Sequence, residues 1–319
     1  MGHRTRPGTR LHLLLCRMRY VFFLFLLSCS SPQAKNSWTP PDTSRIPHSA
    51  EGTLIRYGRE LIANTALYLG PRGKISVQGN GMNCQNCHLD AGTRPWGNNY
   101  SGVFSTYPKY RDRSGQIESI YKRVNDCLER SLNGKALDST SREMQAIYAY
   151  IKWLGQAVPK GVRPAGAGIS DLPYEDRAAD TIKGEIVYRG KCARCHGQQG
   201  EGMWSADSGR CIYPPLWGPH SYNTGAGLFR LSRLAGYVKD NMPFGAGHAA
   251  PQLTDTEAWD VAAFIESRPR PQKTFLGDWP NITRKPFDLP FGPYADSFPE
   301  SQHKYGPFTP ITAASRKLF

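Results

Sequence analysis

Cys84-Gln85-Asn86-Cys87-His88 and, 108 residues further on, Cys192-Ala193-Arg194-Cys195-His196 decide how this chain of 319 residues is read. Both are C-x-x-C-H. At that spacing two thiols take thioether bonds to the vinyl groups of a c-type haem, and the adjoining imidazole becomes the proximal iron ligand. The rival for a single match is a chance redox pair or half of a zinc site. Two matches, with no further paired cysteines to complete zinc sites, favour two covalently bound haems. Cys84, Cys87, Cys192 and Cys195 are thus read as attachment points, and His88 and His196 as iron ligands.

Composition sets the bounds around these motifs. The length suits two modest domains. A hydrophobic share of 39% and a mean hydropathy of −0.51 exclude a polytopic membrane protein, and 11% aromatic residues exclude a solvated disordered chain. The net charge of +14 raises nucleic acid as a partner until the charges are located. Arg4, Arg6, Arg10, Arg17 and Arg19 are the only charged residues before position 29, and they precede the apolar run Tyr20 to Leu27. A basic start and a short apolar run read as an export signal over residues 1–28, too short to span a bilayer. Its ending, Leu26-Leu27-Ser28-Cys29, resembles a bacterial lipobox, which would lipidate Cys29 and anchor the chain to a membrane. An ordinary cleaved signal and an uncleaved anchor are the alternatives, and Met18 is an alternative start to Met1. Loss of the signal leaves a net charge of +9 and places the chemistry outside the cytoplasm, in the periplasm. An exported haem protein has no access to nucleic acid, and the basic residues form no reader motif.

What surrounds the motifs repeats as well. Apolar-periodic segments precede them, Leu54 to Leu69 with Tyr57-Gly58, and Thr181 to Arg189 with Tyr188-Arg189-Gly190 following Val187. A helix opened by a capping box follows each, Thr140 with Glu143 and Thr254 with Glu257. The apolar stripes there are Ile147, Tyr150, Ile151 and Leu154, and Trp259, Ala262, Ala263 and Phe264. Helix, haem motif, loops and closing helix make a small all-α domain that resembles cytochrome c, here twice. The expected fold is mainly α, with two tandem class I-like cytochrome c haem domains. Residues 29–50 form a linker, 51–160 the first domain, 161–180 an interdomain linker rich in Gly and Pro, 181–270 the second domain, and 271–319 an extended irregular tail draped over both.

Each haem iron takes a sixth ligand or keeps an open position. In the second domain the window after the motif holds Met203, His220, Met242 and His248, of which Met242, in Asn241-Met242-Pro243, is favoured over its reading as a gap-filling methionine. In the first domain no His and no Met falls between Leu89 and Glu143. Cys127 is the soft ligand there, with Lys109, Lys122 and Lys135 as poorer candidates. A disulfide between Cys127 and Cys211 competes with that assignment. The segment Ser114 to Leu132 reads as an amphipathic helix with Ile117, Ile120, Tyr121, Val124 and Leu128 on its apolar stripe, stopping at Asn133-Gly134. Arg123, Cys127 and Ser131, spaced four apart, stack on one face, and Arg94, Arg111, Arg113, Lys122 and Arg130 lie nearby. Such a run is usually a solvated face; beside an iron-bound thiolate it would offer planar donors to a small oxyanion.

With these residues in place the chain, over about residues 51–270, resembles the dihaem thiosulfate dehydrogenases. The resemblance is carried further by Gly92-Thr93-Arg94-Pro95-Trp96-Gly97, Arg130-Ser131-Leu132-Asn133-Gly134, Tyr213-Pro214-Pro215-Leu216-Trp217-Gly218, Ser221-Tyr222-Asn223-Thr224-Gly225-Ala226-Gly227 and Gln302-His303-Lys304-Tyr305-Gly306-Pro307-Phe308. It implies a catalytic haem ligated by His88 and Cys127, with Arg113, Arg123 and Ser131 on the substrate side, and an electron-transferring haem with His196 and Met242. Some members exchange that methionine with a neighbouring lysine; Asn241 here puts the exchange in doubt. The implied reaction couples two thiosulfate ions to tetrathionate and passes electrons to a periplasmic one-electron carrier such as a small cytochrome c. A non-enzymatic dihaem electron shuttle and a sulfur-oxidation complex subunit are the rival readings. The shuttle predicts His or Met at both distal positions, which the first window lacks.

Overall fold

The first and last helices of each half cross at backbone contact, and that crossing frames the fold. In the computed structural model, which describes residues 38–207 and 209–316, the first half comprises α1 (Ala50–Ala63), α2 (Thr65–Leu69), α3 (Leu89–Gly92), α4 (Val103–Thr106), α5 (Ile120–Arg130) and α6 (Arg142–Gly155). A two-stranded antiparallel hairpin, β1 (Lys109–Arg111) with β2 (Gln116–Glu118), lies between α4 and α5. The second half comprises α7 (Thr181–Lys191), α8 (Ala193–His196), a hairpin of β3 (Met203–Trp204) with β4 (Cys211–Tyr213), α9 (Leu231–Asn241) and α10 (Asp255–Glu266). The expected export signal over 1–28 and the lipidation of Cys29 lie outside the described residues. No helix among the described residues is long and apolar enough to cross a membrane.

Helix α1 starts because Ser49 Oγ accepts from Gly52 N at 3.2 Å, and it turns Ile55, Leu61 and Ile62 inward. Those residues meet Ile147, Tyr150, Ile151 and Leu154 of α6, all at most 2% exposed. Each aliphatic side chain so buried contributes about 1.5–3 kcal/mol. At the crossing, a Cβ on Gly58 would lie 1.9 Å from the Ala146 carbonyl oxygen. In the second half a Cβ on Gly184 of α7 would lie 1.9 Å from the Asp260 carbonyl oxygen of α10. Gly184, rather than Gly190 beside Tyr188, is therefore the counterpart of Gly58; a Cβ on Gly190 meets nothing within 4 Å.

Two local expectations are corrected. The closing helix α6 is capped by Ser141, whose Oγ accepts from Met144 N, while Glu143 accepts from the Tyr57 hydroxyl; the Thr140–Glu143 capping box does not form. The box of Thr254 with Glu257 does form, at the start of α10. The segment from Ser114 is not helical throughout. Gly115, at φ 65°, turns the chain into β2, which leaves Ile117 74% exposed, and α5 starts only where Ser119 Oγ accepts from Lys122 N. Its stop is as expected: Asn133 takes a left-handed φ of 50°, and Gly134 N donates to Leu128 O.

The stretch between the halves is packed against the first one. Gly166 and Gly168 carbonyls accept from Trp96 N and Asn98 N at 2.8 and 2.9 Å, and Ser105 Oγ donates to Val162 O. The halves also meet directly: Cys211 N donates to Gly81 O, the Tyr237 hydroxyl to Asn86 O at 2.8 Å, and Asn223 Nδ2 to Glu129 O. After residue 270 the chain runs irregularly across both halves, as expected, but ends in two short helices, α11 (Glu300–Tyr305) and α12 (Thr309–Arg316). Leu289, His303 and Ile311 are at most 1% exposed there, so this tail is part of the core.

The crossing makes a test. Gly58→Ala and Gly184→Ala should each destabilise by about 1–3 kcal/mol in chemical unfolding, since the helices must part. Gly190→Ala should instead stabilise by about 0.5–1 kcal/mol through helix propensity.

Candidate active site

Each C-x-x-C-H turn is tied down in the same way. In the first half, Asn83 Oδ1 accepts from Ala66 N and Thr65 Oγ1 from Cys84 N, so the motif is pinned to the start of α2. His88 Nδ1 lies 2.6 Å from Asn98 O, and its ring stacks on Tyr100. In the second half His196 Nδ1 lies 2.8 Å from Pro214 O. A carbonyl only accepts, so Nδ1 carries the proton in both rings and Nε2 keeps its lone pair for a metal. Burial depresses both imidazoles, His88 to about 4, which keeps them neutral as ligation requires.

The loop that presents Asn98 is costly to form. Asp90, Ala91, Trp96 and Asn98 all take φ between 54° and 61°. Hydrogen bonds from Trp96 N and Asn98 N to the interdomain stretch, and from the Tyr150 hydroxyl to Ala91 O, hold it.

A cavity of about 470 Å³ opens beside His88. One side is apolar, with Ile62, Tyr100, Leu132, Ile147 and Ile151, and beside it are Cys84 and Cys87. The other is basic: Arg113, Arg123 and Arg130 line it together with Cys127 and Ser131. The residues fit a haem bound through both thiols, with His88 and Cys127 in one cavity. Arg123 Nη1 lies 3.2 Å from Cys127 Sγ, the i, i+4 contact that the helical spacing implied. Attraction to Cys127 is the main cause of an upward shift at Arg123, against its burial. Burial and then Arg130 pull Arg113 down to about 10, with Asp278 opposing them.

Of the poorer first-window candidates, Lys122 is paired with Asp126 at 2.5 Å, Lys135 is exposed, and Lys109 lines the cavity. Cys127 and Cys211 are both free thiols, so the competing disulfide is absent. Cys211 is 4% exposed in a small core with Leu69, Met82, Leu128 and Leu132, its Sγ 3.7 Å from Asn86 Oδ1. In the second half, Met203 and His220 are exposed, and His248 stacks on Trp96 while facing Asp240 at 3.2 Å. Met242 alone of the four packs against the core that holds Tyr188, Ala193 and Trp217.

Asp278 and Trp279 were missed by sequence reasoning. Both come from the aperiodic tail and reach the basic side of the cavity. The one signal in the sequence was indirect: the arginines around Cys127 require a counter-ion.

Cys211→Ala should cost about 1 kcal/mol or more in unfolding experiments, as a small buried group is lost. The intact mass of the wild-type chain should not change on reduction, as it would if Cys211 were in a disulfide.

Comparison with known proteins identifies the two halves. Residues 76–159 match the family described as SoxA/TsdA, cytochrome c domain, and residues 182–269 match cytochrome c. The chain is 40% identical over 237 residues to the thiosulfate dehydrogenase of Allochromatium vinosum, covering 73% of this chain and 84% of that protein. It is 39% identical over 242 residues to that of Psychrobacter arcticus, covering 76% and 71%. Among solved structures it is similar to thiosulfate dehydrogenase (TsdBA) from Marichromatium purpuratum in the "as isolated" form, with a TM-score of 0.68 and 32% identity over 74% of this chain. The match spans half the length of that structure's chain. Two tandem cytochrome c domains carry two covalently bound haem c groups, and the chain belongs to the thiosulfate dehydrogenase family of oxidoreductases.

Proposed function

We propose that the chain couples two thiosulfate ions into tetrathionate at Cys127. The observation that carries this reading is the Arg123–Cys127 contact of 3.2 Å inside a cavity that His88 and Arg113 also line. Arg113 and Arg123 hold the sulfonate oxygens of the first ion, and Ser131, at the end of α5 in the same cavity, adds a hydroxyl. Two dianions repel, and fixed guanidiniums aimed at their oxygens offset that cost most strongly in a poorly solvated pocket.

Cys127 is the sulfur-handling group. Its thiolate and the terminal sulfur of thiosulfate form an S–S bond, giving a Cys127 S-thiosulfonate as two electrons leave. A second thiosulfate attacks the Cys127-bound sulfane sulfur, breaks the bond to Cys127, releases tetrathionate and restores the thiolate. When bound, the two haems supply the sink for those electrons. His88 and Cys127 would hold the iron of the first haem, and His196 and Met242 that of the second. In this reading electrons would leave by way of the second half, which holds His196 and Met242, to a one-electron carrier such as a small cytochrome c. The reading includes a periplasmic location, with Cys29 as a lipid anchor.

Cys127→Gly should retain both haems by absorption spectroscopy yet lose thiosulfate turnover by about 10³-fold or more. Normal turnover in that variant would overturn the assignment. Arg123→Ala should lower kcat/KM for thiosulfate by about 10- to 100-fold, the size of one charge-assisted hydrogen bond.

A further inference from the structure

Asp278 lies 151 positions beyond Cys127, yet its carboxylate sits against two arginines that line the cavity. It accepts from Nη1 and Nη2 of Arg130 at 2.7 and 2.8 Å, a bidentate pair, and stands 3.5 Å from Nη1 of Arg113. The flanking aromatic residues add to this grip. Trp279 N donates to Arg113 O at 2.7 Å, and the Trp279 ring lies 5.1 Å from the Arg113 guanidinium. The Phe275 ring lies 3.7 Å from that of Arg130. Gly225 leaves room for this contact: a Cβ there would lie 2.4 Å from the Phe275 ring, while its carbonyl accepts from Arg113 Nη1 at 2.7 Å.

Arg113 is thus anchored along one edge. Among the described residues its Nε and Nη2 make no hydrogen bond, which leaves that edge for whatever enters the cavity. Arg113 and Arg130 are both largely buried, with side chains 13% and 7% exposed, and they repel each other. Asp126 offsets part of this at Arg130, with 3.5 Å to Nε, but it is also shared with Lys122. Asp278 is the one described carboxylate that reaches both arginines.

We propose that Asp278 is a positioning residue, which pins Arg113 through Nη1 so that its free edge takes the sulfonate oxygens of thiosulfate; this rests on the reading of Arg113 as an anion-holding group. Trp279 is therefore the part of the cavity wall that the tail supplies. The carboxylate does not touch the substrate. It fixes the angle at which a guanidinium does.

The test uses the full chain loaded with both haems. Asp278→Asn should raise KM for thiosulfate about tenfold with kcat within about twofold, and leave the absorption spectra of both haems unchanged. In a Cys127→Gly background, calorimetric binding of thiosulfate should weaken by a similar factor when Asp278→Asn is added. Asp278→Glu keeps the charge and should stay within about threefold of the wild-type KM. An unchanged KM in Asp278→Asn, a loss of haem, or a Glu variant as impaired as the Asn variant would each overturn the proposal. If Arg113→Ala impairs turnover while Asp278→Asn does not, this inference alone fails. If the wild-type protein does not oxidise thiosulfate, the underlying reading fails first.

Discussion

Two helices approach to backbone contact only where one of them gives up its side chain, and Gly58 and Gly184 meet that constraint in the two halves. The rest follows from the crossing. Because α1 and α6 lie so close, Ile62, Ile147 and Ile151 form a tight apolar wall on one side of the first cavity. Because α7 and α10 do the same, Tyr188 stands in the second core and its hydroxyl reaches Gly197 O at 2.7 Å, just past His196. The first C-x-x-C-H turn is tied to α2 through Thr65 and Ala66, and in both halves the histidine Nδ1 faces a backbone carbonyl.

Within that shared frame the halves part company over polarity. The second seat is surrounded by aromatic and aliphatic groups, and its window offers a thioether. The first combines an apolar floor with charge. Arg113, Arg123 and Arg130 line it beside Cys127, with Lys109, Arg111, Arg163, Arg230 and Arg233 also in its lining, so it is strongly basic. Buried like charges are costly to assemble, and a dianion that neutralises them recovers part of that cost on binding.

The parts of this arrangement that were legible in the sequence are those that local rules dictate. The haem motifs, the stripes of α6 and α10, the Asn133-Gly134 stop and the Arg123–Cys127–Ser131 face follow from covalent geometry or from a period of 3.6 residues. The failures have physical causes too. Apolar periodicity alone extended α5 back to Ser114, because Ile117 fits the helical stripe; a glycine turn and strand pairing overrule it. Thr140 and Glu143 have capping-box spacing, but Tyr57, 86 positions away, takes the glutamate. Periodicity is blind to long-range partners of this kind. The cysteine pairing left open by counting is settled by packing, with Cys211 enclosed by Leu69, Met82, Leu128 and Leu132.

The tail shows why an aperiodic segment can still be a determinant of function. Beside the hydrogen bonds it makes to itself, it reaches out to both halves: Asp278 answers Arg130, Asp288 accepts from Arg230 and Ser232, and Lys273 reaches Glu129 O. Those outward contacts follow no local pattern, so periodicity does not record them. The tail ties the halves together, because Arg230 begins α9 in the second while Arg130 ends α5 in the first. Arg130 then stands at a junction. On one side it ends the helix that carries Cys127, and on the other it grips the segment that carries Trp279 to the cavity. The cavity wall that includes Trp279 is thus reached only through contacts with both halves, at Arg130 and, through Asp288, at Arg230.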